Sequence, residues 1–565
     1  MIQIANINFT IITYLIFKIA IITGSRNFEP VKSVMVNFLL LKHVEACSFA
    51  FHSLLGPVRT IKCLENEALS CESSTVLEWL KNSSPGTSLD ILYSSCLDHK
   101  RYAGTHVTSF IILAGLFARE ARYLCQEKGY DVVAVVDEFR KCSKVCAELL
   151  KEYKKLDTSS MDHSQLCRLL MHKTENGSLN QPGAFVGADL ARQVSECFLM
   201  HGGKHNGAKN GDWQLGAVVV KTFQSCREQT QCRVFDGAVV PIHQENQSLA
   251  RLALKGATYG NFILVEGDIN FSSIKSSFSK AKAFMPLTLS MGESRNFANE
   301  LSNFKRQLKE PSDFEDSVAR HLQFHNVAVV MASGTIPFAI RHLCAQSYGI
   351  LLLQNVALKD VETLSRVFSC PVLSDVLMLL PTAATTNDSL NNYVSHDSAQ
   401  IEIIEDGWNI YGIISESAKS VDSMFVGIKV KDGPIKSCEN LRLNQRPVTV
   451  MISSRTISLT AEIEKHFWSN LYRQRNAYKV GYIIPGKART ESYLAKTIID
   501  SDAAKTNILR ACFADALKYY ASIINRNADL LGETSCDNDI YDDVIGKSSA
   551  LARAVGLVEM MLRLI

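Results

Sequence analysis

The stretch "YAGTHVTSFIIL", residues 102–113, decides how the whole sequence is interpreted. Its small residues predict a turn that leads directly into an apolar helix, and the backbone N–H groups at such a helix start can hold a phosphate. The stretch contains no carboxylate, the ligand that a magnesium ion prefers. Alone, it fits a nucleotide site, a nucleotide site that has lost its chemistry, or a helix that Thr108 or Ser109 merely caps.

The composition is that of an ordinary multidomain globular chain. Its 565 residues are too many for one core and predict about three folding units. The 60 basic and 57 acidic residues form no charged tail, so nucleic acid is not an expected partner. The 16 cysteines are scattered singly, which is typical of reduced cytosolic thiols.

Two local features suggest other classes of protein and are set aside. Cys197, His201 and His205 are spaced by four like metal ligands, but Gly202 and Gly203 would interrupt the helix, so we predict a solvated loop and no metal site. Residues 9–23 are apolar, yet no Lys or Arg precedes them and Lys18 lies inside them. We therefore favour a buried segment or a mispredicted first exon over a signal or membrane anchor.

The pattern along the chain is symmetric. Helices dominate to residue 153, with a hairpin at residues 61–71 and a helix that Ser73 or Ser74 caps. A more polar connecting region follows, with one helix near residues 188–200. Strands and helices alternate over residues 261–368, short strands continue to about residue 460, and helices return from residue 461. We infer that an α/β unit is inserted into a helical domain.

Six further stretches accompany the opening one in a fixed order: "GPVRTIKCL" (56–64), "CESSTVL" (71–77), "CRVFDGAVV" (232–240), "EKHFWSNL" (464–471), "PGKARTE" (485–491) and the closing helix from residue 541. With the symmetric domain pattern, they resemble the group II chaperonins, the archaeal thermosome and the eukaryotic t-complex ring. The resemblance implies a multidomain α+β fold in which a helical equatorial ATPase domain is split around an intermediate domain and an inserted α/β apical domain.

The resemblance also implies domain boundaries. Residues 1–28 would be an atypical N-terminal segment. The equatorial domain would take residues 29–153 and 471–565, the intermediate domain residues 154–235 and 375–470, and the apical substrate-binding domain residues 236–374.

At the family's acidic positions the chain carries Glu72, His106 and Ser469. The first keeps a carboxylate, the second replaces the metal-binding Asp with an imidazole, and the third replaces the Asp that positions water. Arg59, Val107, Lys487 and Ala488 replace glycines. The nucleotide-binding positions that remain, as weak or vestigial ones, are Gly56, Pro57, Thr75, Thr108, Ser109, Gly486 and Asp542. We expect no catalytic residue, no metal site, and binding of ATP and magnesium that is weak or lost.

Chaperonin-like chains with degraded ATPase motifs include the McKusick-Kaufman and Bardet-Biedl syndrome proteins, which this sequence resembles. The resemblance implies a folding and assembly factor in the cytoplasm, at the centrosome or ciliary base, with no membrane partner. Its partners would be other chaperonin subunits and clients of a ciliary coat complex. Two alternatives stay open: a divergent subunit of the cytosolic ring that folds cytoskeletal proteins, and a free-standing interaction protein.

Overall fold

A computed structural model describes residues 32–564 apart from internal stretches. The longer stretches are 57–61, 65–68, 171–181, 203–214, 225–229, 255–257, 271–310, 375–378, 380–398, 410–421, 431–446, 501–506 and 530–539. The apolar residues 9–23 therefore lie outside the described part. Among the described helices, none combines the length and the apolar character that crossing a bilayer requires.

The elements follow one another in four parts of the chain. The first part contains α1 (Lys32–Phe49), β1 (Lys62–Cys63), β2 (Leu69–Ser70), α2 (Ser73–Ser83), α3 (Thr87–Ala103), α4 (Val107–Arg122) and α5 (Val132–Glu152). The second contains β3 (Leu156–Asp157), α6 (His163–Leu170), α7 (Pro182–Gly202), β4 (Val218–Gln224) and β5 (Gln231–Phe235).

The third part alternates strands and helices: β6 (Ala238–Ile242), α8 (Gln244–Ala253), β7 (Thr258–Val265), α9 (Pro311–Phe324), β8 (Val327–Ala332), α10 (Phe338–Leu343), β9 (Leu351–Leu353), α11 (Leu358–Phe368), β10 (Val372–Leu373), β11 (Ala399–Asn409) and β12 (Asp422–Val430). The fourth contains β13 (Val448–Ser454), α12 (Ile457–Val480), β14 (Tyr482–Pro485), α13 (Arg489–Asp500), α14 (Ile508–Asp529), β15 (Tyr541–Asp543) and α15 (Val544–Arg563).

The two ends of the chain share one hydrophobic core, which we call the helical unit (α1–α5 with α13–α15). Phe513 of α14 stacks on Phe117 of α4, with ring centroids 4.7 Å apart, and meets Phe139 of α5 edge-on at 5.4 Å. Burying an aromatic side chain of this size contributes about 2 kcal/mol of transfer free energy. The helical unit is therefore assembled from segments that lie hundreds of residues apart.

A middle unit is built from β4, β5 and β13 with α7 and α12. Strand β13 lies between β4, to which it is parallel, and β5, to which it is antiparallel. Leu190 and Val194 of α7 pack with Phe467 of α12 and Val450 of β13 in a separate core. The prediction that this stretch only connects domains is therefore wrong, because α7 spans 21 residues and buries an apolar face.

The predicted solvated loop is also revised. Cys197 lies inside α7, where burial raises the pKa of its thiol to about 11, and the helix continues to Gly202. His205 lies outside the described residues. Where the chain is described, no three His, Cys, Asp or Glu side chains cluster as metal ligands.

The third part forms the large-sheet unit, a mixed sheet of seven strands. Its order is β6-β12-β11-β7-β8-β9, and β10 pairs with β7. Strands β7, β8 and β9 are parallel, whereas β11 and β12 are antiparallel to their neighbours. The sheet contradicts the boundary at residue 374, because β11 pairs with β7 and β12 with β6. Strands β11 and β12, residues 399–409 and 422–430, thus belong to the sheet unit and not to the intermediate domain.

Candidate functional site

A cleft of about 730 Å³ opens between the helical unit and α12. Most of the positions singled out from the sequence meet on its wall, namely Gly56, Glu72, His106, Thr108, Ser109, Ser469 and Asp542. Gly486 and Thr75 lie just behind the wall: the Gly486 N–H donates to Ile540 O at 2.8 Å, and Thr75 Oγ1 donates to Glu72 Oε2 at 3.4 Å. Pro57 and Arg59 lie outside the described residues.

The stretch at residues 102–113 forms the predicted turn and helix, but neither Thr108 nor Ser109 caps the helix. Helix α4 begins at Val107, and the capping position is His106, at φ 58° and without a side-chain capping bond. Thr108 Oγ1 lies 2.6 Å from Ser73 Oγ, and Ser109 Oγ accepts the Tyr520 hydroxyl at 2.8 Å. These hydroxyls are tied to neighbouring helices at the cleft wall.

The predicted cap of α2 is likewise wrong. The helix begins at Ser73, so the capping position is Glu72, which makes no side-chain capping bond. The carboxylate of Glu72 instead contacts two lysines: it is ion-paired with Lys100 and lies 3.9 Å from Lys465 Nζ. Burial acts to raise the pKa of Glu72, but the Lys100 ammonium and hydrogen bonds from Lys100 and Ser74 hold it below its ordinary value.

A buried ion cluster also lines the cleft. Lys547 Nζ is 3.0 Å from Glu491 Oε1 and 2.7 Å from Asp542 Oδ2. Burial acts to lower the pKa of Lys547, but Asp542 and Glu491 raise it well above its ordinary value, so the ammonium stays charged. Asp542 was predicted from the sequence, whereas Lys547 was missed. The only signal for Lys547 was a single lysine in the first turn of an apolar helix.

Asp543, the neighbour of Asp542, holds the turn in front of α4 and does not line the cleft. Its carboxylate caps α15 by accepting the Gly546 N–H at 2.6 Å, and it accepts Asn476 Nδ2 at 2.8 Å and Thr105 Oγ1 at 2.9 Å. His106 Nε2 lies 3.4 Å from it. Burial acts to raise the pKa of Asp543, but the His106 imidazole and the hydrogen bonds from Gly546 and Asn476 lower it. His106 thus lies against a buried carboxylate whose role is structural.

The residues of the cleft do not fit a magnesium ion. Among the described residues, each of the four carboxylates that line the cleft is already engaged by a basic side chain: Glu72 by Lys100, Glu491 and Asp542 by Lys547, and Glu462 by His466 at 3.1 Å. Ser469 offers a hydroxyl where the family has an acid. A magnesium ion bound to Glu72, Glu491 or Asp542 would have to lie beside an ammonium ion that is already paired with that carboxylate.

The backbone beside Gly486 keeps a shape that normally needs glycine. Lys487 and Ala488 have φ 50° and 60°, in the left-handed region, and both line the cleft. These are two of the positions at which the family has glycine. Two residues with a Cβ atom thus adopt a backbone conformation that favours glycine.

Comparison with known proteins agrees with the resemblance. A model of the TCP-1/cpn60 chaperonin family matches residues 49–538. Similar proteins include the thermosome subunit gamma of Saccharolobus shibatae, 22% identical over 485 residues, and that of Saccharolobus solfataricus, 22% identical over 487 residues. Each alignment covers 85% of this chain and 78% of the relative.

The fold has a solved counterpart. The crystal structure of a group III chaperonin in the open state superposes with a TM-score of 0.62 at 14% identity, over 95% of this chain and 99% of the other. The chain belongs to the TCP-1/cpn60 chaperonin family, and its multidomain α+β architecture is that of a chaperonin. The family and fold predicted from the sequence are confirmed.

Proposed function

We propose that this chain is a chaperonin-family folding and assembly factor that does not hydrolyse ATP efficiently and that assists the assembly of a ciliary protein complex. The observation that carries the first half is the engagement of every carboxylate on the cleft wall by a basic side chain. Phosphoryl transfer from ATP needs a divalent ion on the phosphates and an oriented water molecule. The side chains that line the cleft supply neither a site for the divalent ion nor a group that orients the water molecule.

Family membership supports the proposed partners. Two relatives are named as subunits of a thermosome, which favours assembly with other chaperonin subunits and contact with client proteins. The ciliary coat complex as client, and a cytoplasmic location at the centrosome or ciliary base, rest on the resemblance of the degraded motifs to those of the McKusick-Kaufman and Bardet-Biedl group.

Hydrolysis is tested by measuring phosphate release from ATP with magnesium, using the purified full chain and a Thr108→Ala variant. We expect the two proteins to release phosphate at the same background rate. Robust release by the unmodified chain that Thr108→Ala abolishes would overturn the proposal, because Thr108 lies in the first turn of α4 on the cleft wall.

The assembly role is tested by capturing the tagged chain from ciliated cells and identifying what it retains. Chaperonin ring subunits together with components of a ciliary coat complex are the expected partners. A full-size ring in which only cytoskeletal clients are retained would favour the divergent ring subunit. A monomer that retains no chaperonin subunit would favour the free-standing interaction protein.

A further inference from the structure

A pair of histidines lies at the end of helix α9, in the stretch "HLQFH" (321–325) of the large-sheet unit. Side chains four residues apart lie side by side on a helix. The rings of His321 and His325 have centroids 4.8 Å apart, and their Nε2 atoms are 3.2 Å from each other. Both side chains are half-buried, so solvent reaches the pair.

A backbone carbonyl fixes the proton on one ring. His321 Nδ1 lies 2.9 Å from Leu379 O, and because a carbonyl oxygen only accepts, Nδ1 carries the proton. The Nε2 atom of the neutral His321 ring therefore has a free electron pair, which accepts a hydrogen bond from His325 Nε2. A bond from the remote ring nitrogen to a carbonyl is also what orients a histidine that binds a metal ion.

The backbone under the pair is held in place. Leu322, between the two histidines, is fully buried in the core of the large-sheet unit. His325 N donates to His321 O at 3.3 Å, which continues the helical turn, and Asn261 Nδ2 donates to His325 O at 3.0 Å. The spacing of the two rings is therefore set by packed structure, and the end of a helix favours a positive charge.

That spacing is the one a transition-metal ion requires. Metal–imidazole bonds of about 2.0–2.1 Å place two nitrogen ligands about 3.0–3.4 Å apart at octahedral or tetrahedral angles. The observed 3.2 Å lies in this range. Imidazole nitrogen suits zinc, nickel and copper, whereas magnesium and calcium prefer oxygen.

We propose that His321 and His325 chelate one divalent transition-metal ion through their Nε2 atoms, with water in the remaining positions. The proton that His325 Nε2 shares with His321 then moves to His325 Nδ1, so the neutral pair releases no net proton. The ion replaces a hydrogen bond between the rings and joins α9 to Leu379 through His321. This inference is independent of the proposed function, because it concerns the large-sheet unit and not the cleft.

The test is a calorimetric titration of the reduced full chain with nickel(II). Nickel is the probe because the chain has 16 cysteines, and thiolates would compete for zinc. We expect a dissociation constant at or below about 100 μM, and no competition from a tenfold excess of magnesium. Absence of binding, or displacement of nickel by magnesium, would overturn the inference.

Two variants identify the ligands while retaining the hydrogen bonds of the pair. His321→Asn keeps an N–H group for Leu379 O, and His325→Gln keeps one at the position of Nε2, but each removes an imidazole ligand. Loss of a second-shell partner alone weakens metal binding about 10–100-fold, so each variant should lose affinity by about tenfold or more. The losses should be of similar size, because a chelate needs both rings.

His243→Asn is the matched control, since it removes an exposed histidine of the same unit. It should leave the affinity for nickel unchanged. An equal loss in this control, or unchanged affinity in either His321→Asn or His325→Gln, would show that nickel binds elsewhere and overturn the inference.

Melting temperatures provide a second measurement that separates binding from folding. In EDTA, both variants should unfold in one transition like the unmodified chain. Nickel should raise the melting temperature of the unmodified chain and of His243→Asn, because the ion binds the folded form, but not that of His321→Asn or His325→Gln. A rise that persists in either of these two variants would contradict a shared site.

Discussion

At the scale of single residues, the cleft preserves a strained main chain. Five described residues other than glycine have positive φ: His106, Asn326, Asn355, Lys487 and Ala488. Two are asparagine, which tolerates the left-handed region, and the other three line the cleft. Each of these three costs about 1 kcal/mol in backbone strain. Two of the three, Lys487 and Ala488, stand at positions where the resemblance places family glycines.

Lys487→Gly should relieve this strain. We expect the free energy of unfolding to rise by about 1 kcal/mol, because glycine adopts φ 50° without the Cβ clash. The measurement is urea denaturation followed by circular dichroism. Lys487→Ala is the matched control, since it removes the ammonium but keeps the Cβ atom. Equal stabilisation by both variants would assign the gain to charge and contradict the strain argument.

His99 should make the chain sensitive to mild acid. The ring is fully buried, and its Nε2 donates to Thr105 O at 2.8 Å. Burial lowers the pKa of His99 to about 4. Between pH 6.5 and 4 the unfolded chain therefore binds a proton that the folded chain does not, so stability falls as the pH falls. Going from pH 7 to pH 5 should cost about 2 kcal/mol from this residue.

The check on His99 is the difference in unfolding free energy between pH 7 and pH 5. His99→Gln should reduce that difference by about 2 kcal/mol, whereas the exposed His243→Gln should leave it unchanged. An unaltered pH dependence in His99→Gln would show that the buried ring does not carry the effect.

The cleft residues that belong to contiguous motifs could be found from the sequence, whereas those that arrive from elsewhere in the chain could not. Glu72, His106 and Ser469 were found because each sits in a recognisable stretch. Lys100 and Lys547 were missed, because an ion pair across the fold leaves no local pattern in the sequence. The basic side chain that pairs with a given carboxylate can be identified only from the three-dimensional structure.

At the scale of elements, two helices of the middle unit cross with almost no space between them. A Cβ atom on Gly187 of α7 would lie 2.8 Å from Phe467 N and 2.9 Å from Ile463 O of α12. Those neighbours are backbone atoms of another helix, so they cannot turn aside as a side chain would. Gly187 therefore sets how closely α7 and α12 approach.

Gly187→Ala should destabilise the chain by about 1–3 kcal/mol, because the added methyl group forces the two helices apart. Gly556→Ala is the matched control: this glycine lies on the exposed side of α15, and a Cβ atom added to it would meet nothing within 4 Å. There, alanine should stabilise the chain by about 0.5–1 kcal/mol through its helix propensity. The measurement is the melting temperature of each variant relative to the unmodified chain. Similar shifts of the same sign in both variants would contradict the argument that α7 and α12 cross closely at Gly187.

The sequence predicted where strands lie better than it predicted which strands pair with each other. The parallel strands β7 and β8 were found from their apolar runs, and the hairpin β1–β2 from its polar turn. The boundary at residue 374 was wrong, since β11 and β12 return to the sheet across more than a hundred residues of chain. Hydrophobic periodicity marks a strand but does not identify its partner.

At the scale of the whole molecule, the units differ in whether their cores are built from one continuous range of residues or from two distant ranges. The two main cores of the large-sheet unit draw their described buried residues from 238–428, and a small cluster joins Val239 and Phe425 of its sheet to Met451 of β13. The core of the helical unit joins residues 38–150 to residues 484–562. The main cores of the first unit are thus continuous in sequence, and the core of the second is not.

Residues 234–432 expressed alone should therefore fold, and residues 32–170 alone should not. We expect a cooperative thermal transition by circular dichroism for the first fragment. The second fragment lacks Phe513 and the rest of the second half of its core, so it should show no such transition. Cooperative unfolding of residues 32–170 would contradict the shared-core description.

Helix α12 belongs to two of these units at once. It presents Lys465 and Ser469 to the cleft, packs Phe467 into the middle core, and donates Asn476 Nδ2 to Asp543 of the helical unit at 2.8 Å. Its 24 residues form a rod about 36 Å long. A tilt of about 5° at one end would displace the other end by about 3 Å. The helix therefore links the wall of the cleft directly to the core of the middle unit and to the carboxylate of Asp543.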